Sequence, residues 1–260
     1  MSVKNGAPWV RDAVESILRQ TAPDLELIVI DDGSTDATGA LLDAVHDERM
    51  RVEHRPPAGL TASLNRAVSL ARAPLLARLD ADDVARPDRL ERQTRFLDRC
   101  PEVGLCGTGA REVDAAGRDV AIVTPPVDDD AIRRAMIRRN PFVHSSVLMR
   151  RAALEAAGGY DERWPVAQDY DLWMRMSRVT RLANLPEPLV TRRLLPGRVS
   201  IERDRLRLEA ELRVRWRALR AGLYPWWCAA FLAKPLAALL LPRGARRVLR
   251  RRFGLPRPVL

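Results

Sequence analysis

The sequence predicts an α/β fold: a mostly parallel sheet with helices on both faces. Three observations carry that prediction. Short β-branched or leucine-rich runs alternate with helix-period stretches through the first 100 residues. Helix-starting residues such as Pro8, Ser34 and Pro87 fall near the boundaries between them. Two aspartate-rich stretches, DDGSTD and DADD, directly follow apolar runs, at the carboxyl strand ends where ligands of such sheets gather.

Taken in order, APWVRDAVESILRQ places Val10, Val14, Ile17 and Leu18 on one helical face, with Pro8 near the first turn. LELIVI at 25–30 reads as a buried strand. STDATGALLDAV follows as a helix with Ser34 as its N-cap, RVEH at 51–54 as a short strand, and TASLNRAVSLAR as a helix. LLARL at 75–79 is the next strand, and RPDRLERQTRFLDR the helix after it. The resulting order, α-β-α-β-α-β-α, implies parallel strands with helices on the sheet faces. Beyond residue 100, VGLCGTGAREV and FVHSSVLMR read as strands, and DDDAIRRAMIRR and QDYDLWMRMSR as helices. ERDRLRLEAELRVRWRALR then reads as a charged helix, followed by an apolar segment broken by Pro225 and Pro235.

The net charge of +10 is not spread evenly. Residues 201–260 carry 15 Lys or Arg against four acids, so this stretch is +11 and the first 200 residues sum to −1. A near-neutral body argues against a nucleic-acid binder and places the anionic partner at the tail, as a membrane surface. Cys100, Cys106 and Cys228 lack metal-ligand spacing and are odd in number, which points to a reducing compartment. MSVKNGAPWV has no apolar core of a secretory leader.

DADD sets a puzzle, because three like charges crowd into four residues. Extended backbone would put Asp80 and Asp82 on one side and Ala81 on the other. Two hard oxygen donors on one side suit Mg²⁺ or Mn²⁺, which takes one or two carboxylates plus substrate phosphates.

NGAPWVRDAVESILRQT, LELIVIDDGSTDAT, ARLDADDVARPDRLERQ, NPFVHSSVLMRR and GGYDERWPVAQDYDLWMR, in that order, resemble the motifs of family 2 glycosyltransferases over residues 2–200. The resemblance implies the GT-A fold, a Rossmann-like mostly parallel sheet, here with a helical, basic C-terminal tail at 201–260. It implies inverting transfer of a sugar from a nucleoside-diphosphate donor (UDP-, GDP- or dTDP-linked) to a hydroxyl acceptor, a cell-surface glycan, polysaccharide or lipid-linked molecule. Carried over residue by residue, Asp31 and Asp32 would contact the donor's base and ribose. Asp80 would sit near the ribose or metal, and Asp82 would hold the divalent ion beside the diphosphate, with Asp83 orienting its neighbours. Asp169 would be the general base; Gln168 stands where many relatives have Glu, and Asp171 and Trp173 would support the helix.

The chain departs from that pattern twice. It starts inside the first motif, so the first strand is expected to be mostly absent. Leu195 stands where many relatives have His before Pro-Gly, which leaves the metal to Asp82, phosphates and water, with Arg192 or Arg193 as further positive charge. His144 is open between an acceptor-side and a structural role, and His46 and His54 read as surface residues. The lack of a metal-binding His pair argues against a zinc hydrolase.

A dinucleotide oxidoreductase would need Gly-x-Gly-x-x-Gly where DDGSTDATG places acids. A phosphatase with an Asp nucleophile would lack the long stretch before DADD. The non-enzyme alternative is a truncated, catalytically inactive relative that binds a partner or a membrane. For the tail, WWCAAFLAKPLAALLL at 226–241 is too short to span a bilayer, which takes about 20 residues. Trp226, Trp227 and the arginines from Arg243 to Arg252 predict that residues 221–260 rest on an anionic membrane surface. The expected location is the cytoplasm, peripheral on the inner face of the cell membrane.

Overall fold

The computed structural model describes residues 1–195 and 204–240. Three parallel strands open the fold: β1 (Ser2–Val3), β2 (Leu27–Asp31) and β3 (Met50–His54), in the order β1-β2-β3. All five residues of β2 are buried, as its apolar run predicts. β1 is a strand of two residues, in register with Ile30 and Asp31. The Met1 carbonyl accepts from the Ile30 amide (3.0 Å) and the Val3 carbonyl from the Asp32 amide (2.8 Å).

Helices α1 (Val10–Leu18), α2 (Thr38–Asp43) and α3 (Leu60–Leu70) alternate with these strands as the sequence indicates. α1 buries Val10, Ala13, Val14 and Ile17 against the sheet. Ser34 is not the cap of α2, which starts four residues later; its hydroxyl accepts from the Asn5 amide instead (2.9 Å). The loops carrying Asn5–Ala7 and Ser34–Thr38 are thereby laced together, with Asn5 also accepting from Thr35 and Asp36 from Ala7.

The parallel pattern does not continue. β4 (Leu75–Ala77) pairs antiparallel with β8 (Leu148–Arg150) in a mixed six-stranded sheet of order β4-β8-β6-β9-β5. Its spine is β6 (Val103–Asp114), flanked along its length by a parallel β9 (Arg181–Leu194). β7 (Asp119–Val123) folds back on β6 as a hairpin, and the two-residue β5 (Val84–Ala85) closes the other edge on β9. The segment 142–150 is not one strand: His144–Ser146 form a 3₁₀ turn before β8. Helices α4 (Arg89–Arg99), α5 (Asp129–Met136), α6 (Arg151–Ala156) and α7 (Gln168–Met176) cover this sheet. α5 is capped by Asp128, whose carboxylate accepts from the Ala131 amide at 2.8 Å.

Two cores result. One joins the parallel strands and α1 to Leu79, Ala81, Ala85 and Val190. The larger is built around Trp173, Phe142, Leu105 and Met136, and takes in Ala210, Val214 and Ala218 of α8 (Asp204–Arg220). After α8, a 3₁₀ stretch (Trp226–Leu232) and α9 (Ala233–Leu240) pack Cys228 and Leu232 against Ile137 and Leu219. Among the described residues no helix is long and apolar enough to cross a membrane. The Pro-Gly step at 196–197 and the Arg243–Arg252 cluster lie outside the described residues.

Candidate active site

The carboxyl ends of β2 and β3 carry the first group of acids. Asp31 ends β2, and its Oδ1 accepts from the Ser34 amide at 3.0 Å. Its Oδ2 lies 2.8 Å from Nδ1 of His54, the residue opposite it in the parallel register. Burial pushes the Asp31 carboxyl up, but the hydrogen bonds from Ser34 and His54 together outweigh this and hold it below its ordinary value. The other ring nitrogen of His54 lies 3.0 Å from Asp43, and these two carboxylates raise the imidazole's pKa. Asp32 points into the start of α3. It accepts from the Ala58 amide (2.7 Å), from Gly59 and from the Ser63 hydroxyl (3.1 Å), so it fixes the loop that α3 leaves from. Gly33, between Asp32 and Ser34, has φ of 71°, and a Cβ there would press against Pro57; the turn needs glycine.

The second group sits in the turn after β4. The backbone is not extended here, as the alternation argument assumed. The Asp83 amide closes a turn on the Asp80 carbonyl at 3.2 Å. The turn achieves the convergence by another route: Asp80, Asp82 and Asp83 each offer an oxygen, and these lie within 4.8 Å of one another. Oxygens from three carboxylates this close fit a hard divalent cation.

Arg78 explains how the charges coexist. Its guanidinium grips both oxygens of Asp80, Nη1 reaching Oδ2 at 2.5 Å, and Nη1 also donates to Ser145. Burial raises Asp80, but the Arg78 charge, His144 and the hydrogen bonds from Arg78 and Ser145 together outweigh this and hold it at about 2. Asp83 goes the other way: burial, then the charges of Asp80 and Asp82, push it up to about 7. The Ser145 hydroxyl lies against both Asp80 (2.8 Å) and Asp83.

Arg193 closes the turn from the far side. Its amide donates to Asp83 (3.0 Å), and its side chain donates to the Asp82 carbonyl (2.9 Å) and to Asp12 (2.7 Å) while stacking over Trp9. Arg192 is not at the site. It is buried in an ion pair with Glu112.

Asp169 lies in the first turn of α7, where the helix dipole favours negative charge. Ala167 before it is left-handed (φ 58°), a conformation unusual without glycine. Burial raises the Asp169 carboxyl, opposed by the Tyr170 amide, the Arg78 charge and the Asn140 side chain. Asn140 Nδ2 donates to Asp169 Oδ2 at 2.7 Å, and its own Oδ1 accepts from the Phe142 amide (3.1 Å), which fixes the amide's orientation. Asn140 also lines a cleft of about 640 Å³ between β7 and residues 139–143. His144 bonds Tyr160 at 2.9 Å and packs edge-on against Trp173, and burial with the Arg78 charge drives its pKa well down. Asp171 pairs with Arg175 (2.8 Å) and Arg217 (3.2 Å), and Trp173 is fully buried, so both support the helix.

Sequence reasoning missed His54, Asn140, Ser145 and Arg78. His54 had a signal: a residue ending the strand next to β2 must stand beside Asp31. The other three depend on segments that folding brings together: Arg78 and Ser145 lie 67 residues apart, Asn140 and Asp169 29.

Comparison with known proteins fits this arrangement. The sequence model of the family described as Glycosyl transferase family 2 matches residues 1–158. EpsE of Bacillus subtilis (strain 168), a protein named as a glycosyltransferase, is 34% identical over 181 residues, covering 67% of this chain and 64% of EpsE. An uncharacterized glycosyltransferase of Haemophilus influenzae is 31% identical over 202 residues, covering 73% of this chain and 62% of that protein. The chain thus spans somewhat under two thirds of these two relatives' length. Among solved structures, TarS of S. aureus in complex with UDP-GlcNAc superposes with a TM-score of 0.72 at 19% identity, over 90% of this chain and 70% of that one. The mannosyltransferase PcManGT of Pyrobaculum calidifontis, in complex with GDP-Man and Mn²⁺, superposes with a TM-score of 0.67 at 20% identity, over 99% and 79%. At these identities the structures speak for the fold, which is GT-A. Aspartates at the strand ends, the fold around them and a family match over more than half its residues lead to one conclusion: this chain belongs to glycosyl transferase family 2.

Proposed function

We propose that the protein is an inverting, metal-dependent glycosyltransferase that moves a sugar from a nucleoside-diphosphate donor to a hydroxyl of a glycan, polysaccharide or lipid-linked acceptor. The observation that carries this reading is the convergence of Asp80, Asp82 and Asp83 within 4.8 Å at the end of the strand β4, in a family 2 chain. The donor class is supported by the fold relatives, whose structures hold UDP-GlcNAc or GDP-Man.

In this reading Asp31 and Asp32 serve the base and ribose end, with Asp32 holding the loop. Asp82, aided by Asp80 and Asp83, would hold Mg²⁺ or Mn²⁺, the latter present in the PcManGT complex. Such an ion, when bound, neutralises charge on the departing diphosphate. Asp169 accepts the proton of the acceptor hydroxyl as that oxygen attacks the anomeric carbon from the face opposite the leaving group. Its C–O bond forms as the bond to the diphosphate breaks, which inverts the centre. Asn140 keeps the base aimed, and Arg78 keeps Asp80 ionised. A cytoplasmic location fits three cysteines that are all unpaired.

The test is release of nucleoside diphosphate from a panel of UDP-, GDP- and dTDP-sugars with Mn²⁺ or Mg²⁺, with and without hydroxyl acceptors. Metal-dependent release supports the reading. Metal-dependent binding of donor with no release under any condition would favour the inactive binding protein instead.

A further inference from the structure

We infer that the surface formed by the end of α8, the 226–232 turn and α9 is a docking face for an anionic lipid bilayer. The inference stands apart from the sugar-transfer reading, since none of the residues involved belongs to the candidate active site.

The face is apolar where a soluble surface should not be. The chain has six tryptophans, and the three exposed ones, Trp216, Trp226 and Trp227, all lie here. Trp226 and Trp227 are 61% and 69% exposed, with Leu236 at 50%. Two ring pairs lie on consecutive residues of this segment: Trp216 meets Trp226 edge-on at 5.9 Å, and Trp227 meets Phe231 at 6.3 Å. The opposite side of the same segment is packed into the protein through Cys228 and Leu232. The segment is therefore amphipathic across its width, one side fixed to the body and the other offered outward. Rings with an apolar body and a polar N–H suit the boundary between head groups and acyl chains.

Charge identifies the occupant. From residue 212 to residue 260 the sequence has 12 Lys or Arg and no Asp or Glu. Within the described part, Arg213, Arg220 and Lys234 are exposed around the patch, and Arg138 sits over the Phe231 ring at 4.4 Å. A second copy of the chain would bring this basic rim against itself, with like charges opposed. A bilayer carrying anionic head groups satisfies both the rings and the rim. Two weak signals of this kind together give stable peripheral binding where one would not.

The experiment is flotation of the full-length chain with phosphatidylcholine vesicles, with and without phosphatidylglycerol, at low and high salt. Expected is partition to the anionic vesicles that weakens as salt rises, with a blue shift of tryptophan emission. Trp226→Ser combined with Trp227→Ser, both exposed sites, should lower partition roughly tenfold while leaving the melting temperature unchanged. Arg213→Gln with Arg220→Gln should lower it by about fivefold per residue. Equal partition to neutral and anionic vesicles overturns the inference, as does unchanged partition of the tryptophan double variant. So does concentration-dependent dimerisation with no vesicle binding, which would show that a second copy covers the patch.

Discussion

Asn140→Ala should weaken the proposed general base without dismantling the site. Asn140 donates one N–H to Asp169 Oδ2 at 2.7 Å, and the Phe142 amide locks that donor in place. Burial already pushes the Asp169 carboxyl upward, and the Asn140 bond is one of the interactions pulling it back. A hydrogen bond to a charged group is worth about 1.5–3 kcal/mol. Its loss therefore corresponds to roughly a tenfold to hundredfold fall in turnover at a pH where the wild type is ionised. The direction is fixed: deleting a donor to the ionised form raises its pKa further. The acid limb of the pH–rate profile then moves to higher pH, and rate returns as pH rises. Turnover across pH at saturating donor, beside calorimetric donor binding, measures both parts. Asn140→Asp, nearly the same shape but with a second negative charge, should move the limb further the same way. A wild-type pH profile in both variants, or a loss of donor affinity matching the loss of rate, would refute the argument.

Other expectations concern neighbouring groups. Asp82→Ala should abolish metal-dependent donor binding and transfer together in calorimetry and turnover assays, since the lost charge acts in both ground and transition states. Asp169→Asn should bind donor and metal as the wild type does yet lose about a hundredfold to ten-thousandfold in rate. The pKa of His54 is raised by Asp31 and Asp43. The stability it adds is complete below its ordinary value of 6.5 and lost as pH rises through the folded one. Melting temperature should accordingly fall across that window in the wild type and less so in His54→Ala, though modestly, because the imidazole is 45% exposed. Gly107→Ala should lower the melting temperature by an amount equivalent to about 1–3 kcal/mol, because the new Cβ would collide with Asn184 Oδ1 and sit 2.7 Å from Phe142 Cδ1.

Local chemistry made much of this fold readable. The apolar run 27–30 and the periodic faces of α1, α4, α5 and α7 state their own structure, and the aspartates stand at strand ends as alternation predicts. β9 escaped notice because Pro186 and Pro188 argue against a strand. They are accommodated where its pairing with β6 shifts register, around Thr108 and Gly109. The antiparallel seating of β4 escaped because β8, its partner, lies more than 70 residues further on. The Asp80–Asp83 turn was misread as extended because its shape is imposed by Ser145 and Arg193, far away in sequence. Periodicity reports which face a residue takes; it says little about which distant loop will hold its side chain.

The acidic turn belongs to both halves of the molecule. Ala81, Leu79 and Ala85 are anchored in the core of the parallel strands, while Asp80 and Asp83 are tied to Ser145 and Arg193 beside the mixed sheet. That makes the fold a two-part kit with a shared joint. Under the proposed roles, loops of the parallel half are the ones to rewrite for a different nucleotide, and loops of the mixed half for a different hydroxyl, with the joint left alone. An engineer recombining specificities from relatives should place crossovers away from residues 78–89, and should transplant the Ser145 and Arg193 segments as a matched set. A hybrid that mismatches them would keep every carboxylate in its sequence and yet lose the spacing among them.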